Sequence, residues 1–486
     1  MSHLSDRCQQ FLTESGTSVY QLSKTSGLDR ASLHRLVTGK RIPTLEFLTK
    51  FCQAMRLNHA DIQELFELYE ESHAGSSNFQ NRKLICQIFS DLDGLSSASL
   101  QESPKTLSPD LLPPIFTSTR PIPSMAGNSR QTLGLVQQFL LRLFHEKPDG
   151  TEVLTNAPLA RMGLLPFFYA LQALYHKHLR LHHLLYFSAN PSLGADSNPN
   201  LEILRFVLPI ALSDFDFYEP RFTYINLGKN DMEAMLWPYY IICEDRLLVL
   251  SASLDHAMLL AEPSSIKLCH TEMERLLSLS RPLLHRSSSA WESIACYQEM
   301  HKKDISVHSV LQFQPCVSSF VPSSQYVRLL PSITQAGGNP ALIREFFQLS
   351  SVPFKCQNEF FSKEGLDEFC RSGKLSGQYG AYLPPLSLEE RKEALIQFTN
   401  AYRSQNSLRL LKKKLSFPTD LNIEFFRHSS ILFMYLKPDF QIHFVSLSES
   451  SLHEAFQDFF SSLAEPYNSH SSAETIQILE NAIRKL

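Results

Sequence analysis

Four histidines lie close together between positions 176 and 183, and their spacing raises the question of metal chemistry. His178 and His182 are four residues apart, a spacing that would place two imidazoles on one face of a helix and suits zinc. No His-Glu-x-x-His motif surrounds them, and no nearby carboxylate completes a ligand set. The segment from Leu179 to Phe187 also has the composition of a strand rather than a helix. We therefore expect a solvated or partly packed group formed by His176, His178, His182 and His183, with no metal and no other cofactor.

Other charged or glycine-containing patterns do not indicate catalysis. The basic run Lys412–Lys414, with Arg409, could contact DNA or acidic lipid, but such a run before Pro418 is typical of the solvated end of a helix. The chain has no GxxxxGK[ST], GxGxxG or GxSxG motif, so neither a phosphate-binding loop nor a serine-hydrolase elbow is indicated. We expect no enzymatic activity.

Short helices are predicted in the first ~70 residues from their start and stop signals. Ser18-Val19-Tyr20-Gln21 is a capping box, in which the Ser18 hydroxyl accepts from the third amide and the Gln21 side chain returns to the Ser18 amide. Gly27 can take the positive φ that ends this helix tightly, and Asp29 can cap a second helix over 30–37. Two short helices joined by a glycine-containing turn have the geometry that lays the second helix in a major groove.

The run from Leu22 to Leu45 resembles the signature of XRE/Cro-cI-family, lambda-repressor-like helix-turn-helix regulators. Leucines and glycines stand at the spacing of that family, and Gly39-Lys-Arg-x-Pro43 leads into a third helix. The spacing is specific because each landmark has a separate structural role. The similarity covers about the first seventh of the chain. It implies an all-α, helix-turn-helix DNA-binding domain over residues 1–72.

The resemblance also implies which residues contact DNA. The groove-facing positions of the second helix are Arg30, Ala31, Ser32, His34 and Arg35. The positions beside the phosphates, which orient a protein without reading sequence, are Thr38, Lys40 and Arg41. Arginine suits paired hydrogen bonds with guanine, and Ala or Ser can meet a thymine methyl or a polar base edge. Many family members carry Gln in the first turn of the preceding helix. This chain has Val19 there, so that contact is absent or comes from Tyr20 or Gln21.

The charge of the protein limits how it can bind DNA. The formal net charge is −4, so the contact must come from a local patch rather than from the whole surface. Acidic residues offset the basic residues of the first domain and are expected to lie away from DNA: Asp61, Glu64, Glu67, Glu70 and Glu71. One copy should therefore bind modestly. We expect a homodimer on a palindromic double-stranded operator.

Cysteine usage and hydropathy predict the compartment. The nine cysteines form no CxxC pair, their number is odd, and no secretory leader is visible, which favours reduced thiols. The richest apolar stretches, such as 164–175, are broken by polar residues before about 18 positions, so no membrane span or membrane partner is expected. We expect a cytoplasmic protein, and the family resemblance points to a bacterium or a phage.

The rest of the chain divides into a linker and a large mixed region. A length of 486 residues suggests roughly three domains. Ser and Pro dominate residues 73–130, which predicts a linker with one short helix over 84–92. Residues 131–486 alternate helical and strand patterns, which predicts an α+β region. Its patterns include a helix over 133–144, a strand over 181–187, a hairpin over 239–250 and a helix over 264–279 capped by Ser264 or Ser265.

A duplication is predicted within this α+β region. Residues 423–466 align on residues 239–282 without a gap, each with three apolar runs, a Ser-capped amphipathic helix and a final Leu-x-x-Pro. This common layout predicts two halves, over 131–300 and 301–486. The alternative is that any two α+β stretches can be matched in this way.

The two-halved layout is similar to the phospholipase-D-like fold, which in some transcriptional regulators serves as a catalytically silent sensor. Enzymes of that fold need an HxKxxxxD motif in each half. The nearest strings begin at His145 and His301, and Glu152 and His308 stand where the Asp is required. The resemblance therefore implies no phosphodiesterase activity, and no catalytic residue can be carried over.

Two functions remain open for residues 131–486. The first is a sensory and oligomerising module, with a Phe- and Tyr-rich pocket that binds a small-molecule effector between the two halves. The second is an enzyme or metal-binding module of unrecognised type, for which the histidine group is the only support. The sequence favours the first, and so predicts a sequence-specific DNA-binding transcriptional regulator with a C-terminal sensor domain.

Overall fold

The computed structural model of the chain describes residues 2–96, 123–191, 197–212, 217–225, 235–287, 290–303, 309–321, 356–375, 384–436 and 442–486, with a few isolated positions between 331 and 341. The chain forms two compact units. The first contains residues 1–83 with a short segment ending at Asn198, and the second contains residues 84–191 and 199–486. The protein is multidomain, as the sequence predicts.

Residues 2–96 are helical almost throughout. The helices are α1 (His3–Glu14), α2 (Val19–Ser26), α3 (Arg30–Val37), α4 (Leu45–Met55), α5 (His59–Ala74) and α6 (Ser76–Ser96). Side-chain caps begin most of them, including Ser2 for α1, Thr44 for α4 and Asn58 for α5. Apolar residues at helical spacing form the core of the first unit: Leu4, Cys8, Leu22, Leu33, Leu36, Leu48, Phe51, Cys52 and Leu65.

Helix α6 replaces the first part of the predicted linker. The sequence predicts one short helix over 84–92 within a linker from 73 to 130, whereas α6 covers 76–96. The apolar part of α6 packs into the core of the second unit, where its buried residues are Ile85, Ile88, Phe89 and Leu92. The first turns of α6 are polar and have no apolar period. Their composition therefore predicted a linker instead of a helix. Residues 97–122 of the predicted linker lie outside the described residues.

The second unit is built on two β-sheets with helices. The elements up to residue 282 are β1 (Met125–Ala126), α7 (Ser129–Glu146), β2 (Glu152–Thr155), α8 (Leu164–Tyr175), β3 (Arg180–Ser188), α9 (Pro199–Leu212), β4 (Tyr218–Ile225), β5 (Tyr239–Cys243), β6 (Arg246–Leu250), β7 (Ala257–Leu260), α10 (Pro263–Leu279) and β8 (Arg281–Pro282).

The elements that follow are β9 (Leu284–Arg286), α11 (Ala290–Lys303), β10 (Ser309–Gln312), a 3-10 helix (Val317–Phe320), β11 (Asn358–Phe361), α12 (Lys363–Ser372), α13 (Leu388–Tyr402), β12 (Leu408–Leu410), β13 (Leu421–Phe425), β14 (Ile431–Leu436), β15 (Ile442–Leu447), α14 (Ser450–Leu463) and α15 (Ser472–Lys485). The chain after the first unit is therefore a mixed region of helices and strands.

Apart from β8, which has no counterpart among the described strands of the second sheet, the two sheets have the same strand order. The first is β1-β7-β6-β5-β2-β3-β4-β8, and the second, taken from its other edge, is β9-β15-β14-β13-β10-β11-β12. Strands β2, β3 and β4 are parallel to one another, as are β10, β11 and β12. Strands β5 to β7 and β13 to β15 form antiparallel meanders. The predicted duplication is therefore confirmed by order and direction together.

Three local expectations differ from the structure. Helix α10 is capped by the Glu262 carboxylate, which accepts from the Ser264 and Ser265 amides, and not by a serine. The second sheet includes β9, so it begins before residue 301. The sequence pattern missed this strand because three residues are too few to show a period. The run Lys412–Lys414 follows strand β12 rather than ending a helix.

One apolar core links the two halves of the second unit. It includes residues of both sheets and of α6, α7, α9 and α14. Polar contacts cross the same interface: the Asn200 amide nitrogen donates to Ser451 Oγ at 2.9 Å, and the Tyr224 hydroxyl donates to Glu449. Among the helices described, none combines the length and apolar content that spanning a bilayer would require.

Gly365 allows α12 to approach the end of β10 closely. A Cβ atom there would lie 1.9 Å from the carbonyl oxygen of Phe313. The Ser362 amide and hydroxyl both donate to that oxygen, at 3.1 and 2.8 Å, so the two segments cannot separate freely. We expect Gly365→Ala to lower the free energy of unfolding by about 2–3 kcal/mol, measured by urea denaturation.

Gly134 provides the matched control for this substitution. It lies in α7, and a Cβ atom there would meet nothing within 4 Å. Gly134→Ala should therefore leave stability unchanged or raise it by up to about 1 kcal/mol, because alanine is the better helix former. Equal effects of the two substitutions would contradict the close approach at Gly365.

Candidate nucleic-acid interface

Helix α2 and the turn after it have the predicted geometry. Ser18 Oγ accepts the Gln21 amide at 3.2 Å, and Gln21 Oε1 accepts the Ser18 amide at 2.9 Å, which completes the capping box. The helix ends at Gly27, whose φ of 72° is in the left-handed region. The Ser23 hydroxyl donates to the Leu28 carbonyl at 2.7 Å and joins α2 to the turn.

Helix α3 exposes one polar face and buries the other. Asp29 caps it, since its Oδ2 accepts the Ser32 amide at 2.7 Å. Hydrogen bonds from the Ser32 hydroxyl and amide hold the pKa of the Asp29 carboxyl below its usual range. Leu33, Leu36 and Val37 are buried in the core of the first unit. The exposed face consists of Arg30, Ala31, His34 and Arg35.

The two arginines of this face are each held by a neighbour. The Arg30 guanidinium carbon lies over the Tyr20 ring, 5.4 Å from its centroid. The Arg35 Nη2 donates to Ser32 Oγ at 3.2 Å and lies 4.0 Å from Asp29 Oδ2. Tyr20 is 57% exposed, so its ring and Arg30 form one surface patch across α2 and α3.

Tyr20 is expected to position Arg30 for DNA. A cation–π contact at an exposed site is worth about 0.5–1 kcal/mol. Tyr20→Leu should therefore weaken binding to the operator of the protein by about two- to fivefold, measured by fluorescence anisotropy. Tyr20→Phe keeps the ring and should bind within twofold of the natural protein. Equal losses in both variants would indicate that the hydroxyl contacts DNA and that the ring does not act through Arg30.

The segment after α3 lies close to α1. Gly39 has a φ of 67°, and a Cβ atom there would lie 3.0 Å from the buried Ser5 hydroxyl. The Thr38 hydroxyl donates to the His34 carbonyl at 2.6 Å and closes the helix end. Lys40 and Arg41 follow as exposed residues. Their cationic groups therefore stand next to the end of α3, where the phosphate contacts are predicted.

The acidic residues of α5 pair with basic residues on other helices. Asp61 and Glu64 lie 3.8 and 2.8 Å from the Arg7 guanidinium, whose pKa is raised chiefly by its hydrogen bond to Glu64. The other pairs are Glu71 with His3, Glu70 with Arg82, and Glu67 with Lys83. These cations belong to α1 and α6. The expectation that the acids lie away from the basic face of α3 agrees with these pairs.

The predicted DNA-contacting residues come together at the surface. The set Tyr20, Gln21, Arg30, Ala31, Ser32, His34, Arg35, Thr38, Lys40 and Arg41 is exposed, apart from the half-buried Ser32 and Thr38. The Gln21 side-chain oxygen accepts the Ser18 amide in the cap, whereas the Tyr20 side chain is exposed. Contact of each residue with DNA stays a prediction.

The four histidines do not converge on one site, since His182 and His183 lie on β3 whereas His176 and His178 lie before it. His183 is buried, and its ring nitrogens lie 3.0 Å from the Tyr218 hydroxyl and 2.9 Å from the Ala157 carbonyl. Burial lowers the pKa of His183 to about 4. His182 faces Glu219 at 2.9 Å, and His178 stacks on a phenylalanine ring. Within the ranges described, no three potential ligands are grouped to hold a metal ion.

A large cavity lies at the carboxyl ends of strands β2, β3 and β4. Its volume is about 1090 Å³, and its described lining lies between residues 156 and 256. The expected pocket between the two halves therefore differs from this one, which is lined by the first half alone. Aromatic residues do line it, namely Tyr186, Phe206 and Tyr239. Sequence patterns do not reveal it, because the lining comes from loops and strand ends far apart in the chain.

Buried carboxyl groups in the second sheet also escape sequence patterns. Glu359 on β11 and Glu424 on β13 are each 1% exposed. Both pair with Val310 on the central strand β10, so they flank it on one face of the sheet. A glutamate inside an apolar strand, as in Asn358-Glu-Phe-Phe361, is the one signal that could have identified them.

The first unit matches a known family of DNA-binding domains. The family model of the Cro/C1-type HTH DNA-binding domain matches residues 8–69. No curated protein matches the chain. Among solved structures, the archaeal chromatin protein TrmBL2, described as showing a novel mode of DNA binding, is similar at 9% identity and a TM-score of 0.22, covering 58% of this chain and 94% of that one.

Two further solved structures show comparable similarity. Phosphatidylserine synthase of Haemophilus influenzae Rd KW20 has 8% identity and a TM-score of 0.23, over 74% of this chain and 92% of that one. Polyphosphate kinase of Porphyromonas gingivalis has 10% identity and a TM-score of 0.20, over 73% and 52%. Such low scores establish neither a shared fold nor a shared activity. The helix-turn-helix geometry and the family match agree, and at residues 8–69 the chain carries a Cro/C1-type helix-turn-helix DNA-binding domain.

Proposed function

We propose that the protein is a sequence-specific transcriptional regulator whose first unit reads a palindromic operator as a homodimer. The observation that carries the proposal is the exposed face of α3, where Arg30 and Arg35 are each held by a neighbouring side chain within a Cro/C1-type domain. Arginines held in this way lose less conformational freedom when they bind base edges. A regulator of this kind acts on the chromosome, in the cytoplasm of a bacterium or on phage DNA.

The dimer is part of the proposal because one first unit presents a single α3. Two copies related by a two-fold axis would place two such helices about one helical turn of DNA apart. Residues 131–486 are proposed to supply the dimer interface and to sense a small-molecule effector rather than to catalyse a reaction. The histidine group gives little support to a metal enzyme, since both ring nitrogens of His183 are engaged within the protein.

Recovery of bound genomic DNA with the full chain tests this function. The natural protein should enrich a short palindromic sequence, and an Arg30→Ala/Arg35→Ala variant should not. Lys50→Ala is the matched control, because Lys50 is an exposed cation on α4 that pairs with Glu46. It should enrich the same sites as the natural protein.

The outcomes separate the parts of the proposal. Enrichment of nothing, or identical enrichment by the natural protein and the double variant, would contradict the assignment of α3. Enrichment of single, unpaired half-sites would contradict the dimer while retaining the reading of DNA by α3.

A further inference from the structure

The cavity of the first sheet has an apolar wall and a polar wall. The apolar wall comes chiefly from one face of α9, which contributes Ile203 and Phe206, together with Ile225 and Met235. Phe206 and Met235 are 41% and 42% exposed, so both present apolar surface to the cavity. A volume of about 1090 Å³ slightly exceeds the usual range of about 300–1,000 Å³ for ligand sites. These features suit a ligand with a sizeable apolar body.

The polar wall is rigidly built around Asn156. Its side-chain nitrogen donates to the Tyr186 hydroxyl at 3.0 Å and to the Pro238 carbonyl at 2.9 Å, and its oxygen accepts the Tyr240 amide at 2.7 Å. Because the Tyr186 oxygen already accepts one bond, its own proton is left to donate. The wall therefore has a fixed hydroxyl donor before any ligand enters.

Arg161 adds the charge to this wall. Burial raises the pKa of the Tyr239 hydroxyl, and the positive charge of the Arg161 guanidinium partly opposes that rise. In the part of the chain that the structure describes, Arg161 has neither a hydrogen bond nor an ion pair with a carboxylate. Glu202 also lines the cavity, but it already interacts within the protein. Arg161 is therefore a cation of this wall that has no carboxylate partner in the described chain.

We propose that this cavity binds a small amphipathic anion, with its acid group at Arg161, Tyr186 and Tyr239 and its apolar body against Ile203 and Phe206. Arginine and hydroxyl donors match an oxyanion, and the fixed Asn156 keeps the Tyr186 donor in place. The inference rests on the proposed sensory role of this region and names its ligand class. Binding to the cavity is measured by calorimetry, and control of DNA by the operator affinity of the full chain with and without decanoate.

Decanoate, decan-1-ol and decylamine serve as probes, because they share an apolar chain and differ in the charge of the head. Isothermal titration calorimetry of the full-length protein should show decanoate binding at least tenfold more tightly than either of the others. Arg161→Gln should raise the Kd for decanoate about tenfold, as expected for the loss of one charge-assisted contact. The same variant should leave the Kd for decan-1-ol within twofold.

Two further variants locate the site. Arg275→Gln is the control, since Arg275 is an exposed cation on α10 that pairs with Glu272 and does not line the cavity. It should bind all probes like the natural protein. Phe206→Ala should weaken decanoate and decan-1-ol equally, because it removes apolar contact without changing charge. Thermal unfolding of each variant shows that it is folded.

Several results would overturn the inference. Binding of no probe, a preference for decylamine, or an unchanged decanoate affinity in Arg161→Gln would each do so. Decanoate binding that leaves operator affinity unchanged would retain the site and contradict only the coupling to DNA. Loss of operator binding by the natural protein in the absence of any probe would contradict the proposed function and leave the ligand result intact.

Discussion

Replacing Arg30 and Arg35 together by alanine is expected to lower the affinity of the full chain for its operator by about 100-fold or more. Each arginine that pairs with a base edge contributes about 1–3 kcal/mol of discrimination, and 1.4 kcal/mol corresponds to tenfold. Neither side chain supports the fold, since both lie on the exposed face of α3. Fluorescence anisotropy with the recovered operator and with a scrambled duplex measures the effect. The variant should bind the two duplexes alike.

Lys40 and Arg41 provide the contrast within the same domain. Because they stand beside the predicted phosphate positions, Lys40→Ala/Arg41→Ala should weaken binding to all duplexes equally. It should also reduce the slope of log K against log salt by about 1 for each lost contact. A change of sequence preference in this variant, or retention of it in Arg30→Ala/Arg35→Ala, would contradict the division between base and phosphate contacts.

A second large effect is expected at Glu359, whose carboxyl group is buried in the second sheet. Its Oε1 accepts from Gln312 Nε2 at 2.8 Å, and its Oε2 accepts from the Tyr402 hydroxyl. The groups that face it from neighbouring elements are Glu424, whose Oε1 accepts from Tyr297, and the thiols of Cys316 and Cys356. Desolvation by burial raises the pKa of Glu359 to about 7, against the lowering effect of its hydrogen bonds.

The raised pKa makes stability depend on pH in a defined direction. The folded protein binds the Glu359 proton more tightly than the unfolded chain, in which a glutamate has a pKa near 4.3. The bound proton therefore contributes its full stabilisation below about pH 4. This stabilisation is lost as pH rises to about 7, and above that pH the free energy of unfolding no longer depends on the titration of Glu359. The pKa difference corresponds to about 4 kcal/mol, most of which falls between about pH 5 and pH 8. Glu359→Gln should remove this dependence, because an amide keeps the hydrogen-bonding shape without titrating.

Urea unfolding of the natural protein and Glu359→Gln at pH 5, 6, 7 and 8 measures the difference in stability. The free energy of unfolding of the variant should rise relative to that of the natural protein as pH increases, by up to about 3 kcal/mol in total. Glu262→Gln is the control, because hydrogen bonds from Ser265 and Ser264 lower the pKa of that exposed carboxyl to about 2. Its contribution is lost only as pH falls below about 4. The difference in the free energy of unfolding between Glu262→Gln and the natural protein should thus be constant from pH 5 to 8. A constant difference for Glu359→Gln as well would contradict a protonated Glu359.

The first unit shows how far local sequence determines structure. The capping box at Ser18, the turn at Gly27 and the cap at Asp29 are all formed as predicted. Each depends on atoms only three or four residues apart, so the chain needs no distant partner to select them. The contact between Tyr20 and Arg30 was not predicted, because it depends on the angle at which α2 and α3 pack.

In the second unit the sequence determined the repeat of strand and helix patterns, and with it the two sheets of common order. Only the tertiary structure decided that α6 extends from residue 76 to 96, that the cavity belongs to the first half, and that Glu359 is buried. Patterns of period 2 or 3.6 record which face of an element is apolar, and neighbouring residues are enough to reveal them. Burial of a carboxyl group and the shape of a cavity depend on distant segments, such as Asn156 and Tyr240, 84 residues apart, or Glu359 and Tyr402, 43 residues apart. No local pattern records such a contact, so it appears only when the chain is folded.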